Sequence, residues 1–203
     1  MTKILDSGNR TEFESGAVRD VQRGKGRFDL MPIDIMADIF ATELADESEE
    51  SSIDDVLHAI SEFRRTGCER WLCFAIVYYS QAVQVDLPTL MLDVAQHFEN
   101  GALKYGERNW EKGIPVSRYI DSALRHLMKD CACEVDEDHE AAFVWNLMCC
   151  AWTIKNKPEL NDYAGTNTPK QIKFSQEPLD FSIERALNPS LRKNKETASW
   201  EGN

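Results

Sequence analysis

Two stretches of this chain are apolar on almost every side of a helical wheel: CERWLCFAIVYYSQAV at 68–83 and HEAAFVWNLMCCAWTIK at 139–155. A helix that is greasy all round must be buried, either in the middle of a core or against another subunit. Two such helices need others to cover them, and the rest of the chain supplies amphipathic candidates. Ile35, Ile39 and Leu44 with Met36 and Phe40 follow one side of 32–45, and Ile53, Val56, Leu57, Ile60 and Phe63 one side of 53–63. Leu90, Met91, Val94, Ala95 and Phe98 do the same after Pro88, a residue suited to a first helical turn. Ser52, with Asp55 three residues on, is placed to cap 53–63, and Ser117 to cap the helix that follows it. The period-two alternation of strands is scarce and no internal repeat is present. The expectation is an all-α helical bundle over 34–162. A basic, glycine-containing arm at 1–33, frayed over 1–13, precedes it. An irregular, proline-broken tail follows at 163–203, with a short helix suggested only at 181–187.

A chain of 203 residues is long enough to bury one core without staples. With 35 acids against 23 bases its net charge is −12, a field that repels nucleic acid and anionic membrane surfaces. A small phosphorylated ligand remains compatible, because a divalent cation and a few local bases reverse the sign at one site. No apolar run approaches the roughly 18 residues a membrane span requires, and the first residues lack a signal peptide's apolar centre. The expected location is the cytoplasm. The six cysteines form no Cys-x-x-Cys pair and read as core thiols of a reducing compartment. The grouping of His126, Cys131, Cys133 and His139 lacks the regular spacing of a structural zinc site.

The chemistry sits where polar groups interrupt the helical patterns. Residues that share a helix face recur three, four or seven positions apart. Glu99 shares its side with Ala95, Ala102 and Leu103, which turns it inward, and a carboxylate inside a bundle must be paired, protonated or metal-bound. His97, about 200° away on the same helix, cannot readily join it on one ion. Asp121 and Arg125 share a face, His126 aligns with Ser122 and Lys129, and His139 shares a face with Phe143 and Asn146. In the link between helices, Asn109 and Trp110 suit hydrogen bonding and stacking on a base, and Lys112 suits a phosphate. The arm carries Arg19, Arg23, Lys25 and Arg27 among Gly16, Gly24 and Gly26. That composition fits a phosphate-gripping loop, or equally a solvated basic segment docked on the acidic body. Together these groups read as the walls of one polar pocket.

The runs SGAVRDVQRGKGRFDLMP, HFENGALKYGERNWEKGIP, YIDSALRHLMK and DEDHEAAFVWNLMCCAWT, in that order over 14–162, resemble the N-terminal domain family of dATP/dGTP diphosphohydrolases found in bacteriophages and prophages. Glu99 matches the acid of the family's E-x-G-A-x-K-Y run, and Arg125 and His126 its R-H pair. His139 and Asn146 match the positions around its aromatic turn. Arg19, Asp20, Lys25, Arg27 and Asp29 match its N-terminal signature. The resemblance implies hydrolysis of a purine deoxynucleoside triphosphate to monophosphate and pyrophosphate in nucleotide-pool control, with Mg2+ or Mn2+ as cofactor. Glu99, Asp138, His126 and His139 would hold or neighbour the ion. Arg125 and Lys129 would face phosphates, and Asn146 or Asn109 would orient the substrate. Related MazG-like enzymes bind metal through E-x-x-E and E-x-x-D, which Glu137, Glu140, Glu159 and Asp162 fit as a pattern. Two further expectations stand: a homo-oligomer, from the greasy 68–83 helix, and, as the alternative function, a protein that captures a phosphorylated signal without breaking it.

Overall fold

The computed structural model describes residues 8–46 and 50–163. Residues 1–7 of the stretch expected to fray, 47–49 of the acidic segment and the tail from 164, with the helix suggested at 181–187, lie outside the described residues. Six α-helices account for most of the described chain: α1 (Ile33–Ala45), α2 (Ile53–Thr66), α3 (Arg70–Val83), α4 (Leu87–Tyr105), α5 (Val116–Cys131) and α6 (His139–Asn156). The bundle is thus all-α, as the periodicity implies.

The two greasy helices take the centre. In α6, His139, Phe143, Asn146 and Cys150 are all buried along one side, and Ala142, Cys149 and Thr153 are buried on others. In α3, Leu72, Ala75, Ile76, Val77 and Tyr79 are each 0 % exposed, while Trp71, Phe74 and Tyr78 form a partly exposed aromatic row. α5 packs along α6 and α2 along α3, while α1 and α4 close the remaining sides. α2 contributes Val56, Ile60 and Phe63 of its expected stripe, and α4 all of Leu90, Met91, Val94, Ala95 and Phe98. In α1, Ile35 and Ile39 are buried, but Leu44, expected beside them, is 88 % exposed in the last turn and Thr42 is buried instead. Burying such side chains is worth about 1.5–3 kcal/mol each.

Helix ends follow local chemistry. Ser52 and Asp55 form the capping box of α2, with the Ser52 amide donating to Asp55 Oδ2 at 2.8 Å. Gly67, at φ 70°, ends that helix in the left-handed region. Asp86 caps α4 by accepting from the Thr89 amide at 2.9 Å. Ser117 does not cap α5, since Pro115 holds the cap position. The Ser117 amide instead donates to Asp162 Oδ1 at 2.8 Å, tying the start of α5 to the chain beyond α6.

The arm is more ordered than its polarity suggests. Where fraying is expected, β1 (Arg10–Glu12) pairs antiparallel with β2 (Val18–Asp20), placing Thr11 opposite Arg19. The turn between them closes through Phe13 and Ala17, whose amide and carbonyl meet at 2.9 Å. The arm then docks on α4: the Arg27 amide donates to Ala95 O at 2.9 Å.

Candidate functional site

The C-terminal half of α4, the link to α5, the outer half of α5 and the middle of α6 enclose a cavity of about 470 Å3. That size lies within the range of small-molecule sites. Its α5 wall repeats at helical spacing, with Arg118, Ser122 and His126 four apart and Tyr119 beside them. α4 adds His97, Phe98 and Tyr105, the link adds Asn109 and Trp110, and α6 adds Trp145 and Asn146. Trp145 is the hub of an aromatic lining, with its ring 5.7 Å from His97, 5.9 Å from Phe98 and 6.2 Å from Tyr119. Trp110 meets Phe98 edge-on at 5.8 Å. Flat π surfaces at several angles suit a planar heteroaromatic guest.

Two residues of this lining hold buried polar atoms that lack a hydrogen-bond partner among the described residues: Trp110 Nε1 and Tyr119 Oη. Thr153, near the Tyr119 phenol, gives its own proton to Cys149 O at 2.8 Å and leaves the phenol unmatched in geometry. Burial also pushes the Tyr119 hydroxyl well above its ordinary range, so it stays a protonated donor. Unmet buried donors are costly, and they are frequent where a ligand or water supplies the acceptor. Asn146 donates to Ala142 O at 2.8 Å, and Lys112 tethers Asn109 through Oδ1 at 3.2 Å. Arg108 and Arg118 place two guanidinium groups at the rim, and Arg118 makes no ion pair among the described residues. Among the described residues no aspartate or glutamate lines the cavity.

At the far end of α5 the histidines meet. His126 Nδ1 lies 3.1 Å from His139 Nδ1 and 3.4 Å from Glu137 Oε1. His139 Nε2 lies 2.7 Å from Asp136 Oδ1, and Lys129 Nζ holds the other oxygen of that carboxylate at 2.7 Å. The Lys129 ammonium, followed by the His139 ring, keeps Asp136 down at about 2, so it is ionised throughout the physiological range. Burial lowers the His126 and His97 values below the ordinary imidazole, and nearby Glu137 opposes the shift at both.

Glu99 is buried, as its helix face implies, yet both oxygens turn to the arm rather than the histidines. They accept from the Gly24 amide at 2.6 Å and the Gly26 amide at 2.9 Å. Gly26 has φ 75° and sits where a Cβ would come within 3.0 Å of Ala95 Cβ, so the close approach requires glycine. Glu99 borders instead a shallower hollow of about 210 Å3 with Gln22, Arg23 and Arg27. Within the arm, Arg27 spends its fork on Asp29, at 2.7 Å, and on Glu107, at 2.8 Å. Lys25 faces Asp20 at 3.6 Å, and Arg19 lies exposed on β2.

The remaining sequence candidates distribute as follows. Arg125 pairs with Asp121 on the exposed side of α5, away from the cavity. Asp138 is the N-cap of α6 and accepts from the Ala141 amide at 3.1 Å. The pairs Glu137/Glu140 and Glu159/Asp162 flank opposite ends of α6, a helix of 18 residues, or about 27 Å at 1.5 Å per residue. They cannot share an ion. Cys131 and Cys133 are likewise outside the groups able to converge on a metal. Sequence reasoning missed Trp145, Tyr119, Arg118 and Asp136. The spacing of Arg118 and Ser122 ahead of His126 is the signal that could have found the α5 wall.

The cavity is built almost wholly from 97–146, and the family comparison that matches falls on that region. Residues 79–163 match the family model of dATP/dGTP diphosphohydrolase, N-terminal. The match runs from the second half of α3 through α6 and includes both histidines, both tryptophans of the lining and Asn146. It is narrower than the resemblance read from the arm onward, because it starts at residue 79 and so leaves out the glycines that bind Glu99. No curated protein and no solved structure matches the chain.

Proposed function

We propose that the cavity binds a purine deoxynucleoside triphosphate and that the protein hydrolyses it to the monophosphate and pyrophosphate. The observation that carries this reading is the aromatic cavity with two unmet buried donors, lying wholly inside the diphosphohydrolase match apart from Leu30. The base stacks among Trp145, Phe98 and Trp110, whose edges and faces offer dispersion and an N–H donor. Arg118 at the rim attracts the triphosphate and binds its oxygens in a planar fork, while Arg108, held by Glu111 and the Asp29 carbonyl, adds positive charge beside it. Mg2+ or Mn2+ bound with the triphosphate would supply charge neutralisation for the attack of water on the α-phosphorus. The water oxygen stays on the monophosphate, and the bridging oxygen leaves with pyrophosphate. Such an activity would serve control of a phage nucleotide pool.

A second reading is capture without cleavage, and it is favoured by a cavity whose described lining includes no carboxylate. Purified protein incubated with each deoxynucleoside and ribonucleoside triphosphate, with Mg2+ or Mn2+, and resolved by ion-exchange chromatography separates the two. Hydrolysis predicts deoxynucleoside monophosphate and pyrophosphate from dATP or dGTP, abolished or strongly reduced in Trp145→Ala and Arg118→Ala. Intact nucleotide recovered from denatured protein, with no pyrophosphate released, establishes capture instead. Neither cleavage nor retention of any nucleotide refutes both.

A further inference from the structure

We propose that His126, His139 and Glu137 form a centre for one nitrogen-preferring transition-metal dication of the Zn2+ or Co2+ type, at the α5–α6 end of the cavity. The donor atoms are already spaced for it. Two ligands about 2.0–2.1 Å from a tetrahedral ion lie about 3.3–3.4 Å apart. His126 Nδ1 stands 3.1 Å from His139 Nδ1 and 3.4 Å from Glu137 Oε1, and all three ligand atoms fall within 4.8 Å of one another. The two distances from His126 Nδ1 each approximate an edge of the polyhedron.

Proton placement supports the same centre. His139 Nε2, 2.7 Å from Asp136 Oδ1, carries its hydrogen toward that carboxylate. Its Nδ1 is therefore the lone pair, aimed at the Nδ1–H of His126, whose proton shifts to Nε2 or is released when a metal binds. A carboxylate behind the distal nitrogen of a ligating histidine fixes the tautomer and strengthens the ligand. Lys129 holds Asp136 in that post from the opposite side, at 2.7 Å. The His139 side chain is 2 % exposed, so its orientation is set by packing rather than by solvent. A second grouping of Glu134, Asp136 and His139 uses the same histidine, but it would draw Asp136 away from Lys129.

Three protein ligands leave the fourth position open, the pattern of a catalytic rather than structural ion. His126 also lines the cavity, so that position borders the proposed guest. The role given to the ion, gripping a phosphate oxygen at that end, rests on the nucleotide reading. Its binding does not. Imidazole donors select for Zn2+ or Co2+ over Mg2+, which prefers oxygen and keeps its waters.

The test uses full-length protein stripped with chelator, then titrated with Co2+, Zn2+ and Mg2+ by calorimetry and visible absorption without nucleotide. We expect one Zn2+ or Co2+ per chain, with Mg2+ at least about 100-fold weaker, and a Co2+ spectrum free of thiolate charge-transfer bands. His126→Gln and the exposed-site Glu137→Gln should each lose at least about tenfold in affinity, and Asp136→Asn about 10- to 100-fold. Circular dichroism checks that each variant stays folded. A Cys131→Ser/Cys133→Ser double variant should bind unchanged. Binding that vanishes in the cysteine variant but survives in His126→Gln and Glu137→Gln overturns the assignment, as does failure to bind either ion stoichiometrically. A centre that binds metal in a protein inert toward every triphosphate leaves this inference standing and removes the hydrolase reading.

Discussion

Replacing Glu99 with glutamine separates two accounts of the same carboxylate. If Glu99 were a metal ligand, the change would remove turnover and leave the arm in place. The structure instead makes Glu99 the receptor for the arm, with Gly24 and Gly26 amides at 2.6 and 2.9 Å on its two oxygens. Hydrogen bonds to charged groups contribute about 1.5–3 kcal/mol each, and neutral ones nearer 1 kcal/mol. A carboxamide keeps one acceptor, now neutral, and sets its NH2 against the other peptide N–H. The loss sums to about 2–4 kcal/mol, with the lower part of that range favoured because Gly24 is exposed and its amide regains water. An arm-docking equilibrium weakened by that much shifts about 30- to 700-fold. Hydrogen–deuterium exchange at residues 24–27 reads it directly, and trypsin cleavage after Arg23, Lys25 and Arg27 reads it independently. Glu107→Gln, which removes an exposed partner of Arg27, is the control and should change either rate little. Unaltered exchange and cleavage in Glu99→Gln would refute the clamp.

Three further outcomes are expected. Gly26→Ala should loosen the arm more than Gly24→Ala: both need a positive φ, at about 1–2 kcal/mol for a non-glycine residue, but only at Gly26 would the new Cβ strike Ala95. Equal exchange in the two variants would contradict the packing. Tyr79→Phe deletes the buried hydroxyl that donates to Asp130 Oδ2 at 2.8 Å, and should cost about 1.5–3 kcal/mol in a urea-unfolding experiment, an unchanged midpoint being the contrary result. His97 has its value lowered from 6.5 by burial, so the unfolded chain takes up its proton first as pH falls. The stability this neutral ring contributes is full above about pH 6.5 and declines below it, levelling off once the folded state also protonates. Melting temperatures from pH 7.5 to 5 should therefore fall less steeply in His97→Gln than in the parent, and parallel curves would show the ring titrating normally.

Much of the bundle was legible because helical periodicity and capping are local. Ser52 with Asp55, Pro88, and the all-round apolar patterns of α3 and α6 each announce themselves within a few residues. The inward face of α6 was legible for the same reason, since His139, Phe143 and Asn146 recur at helical spacing. What escaped depends on distant partners. Backbone amides leave no trace in a sequence, so nothing marked Gly24 and Gly26 as the groups that satisfy a carboxylate 75 and 73 residues away. The pairing of Arg125 with Asp121 is legible at four residues' separation, and it already points that guanidinium outward rather than to phosphate. The hairpin of the arm was hidden because its strands are three residues long and exposed, too short for alternation to register.

The seating of α3 bears on how the protein can be divided. A fragment cut at the boundaries of the family match would begin at Tyr79, inside that helix, and would discard Leu72, Ala75 and Ile76 together with α1 and α2. α3 packs on α6, and those side chains belong to the same core cluster as Phe143, Val144 and Leu147, so the cut would open that core to water. Stretches that evolve as a recognisable module and stretches that melt as a unit need not share borders, and here expression trials should keep residues 30–163 together.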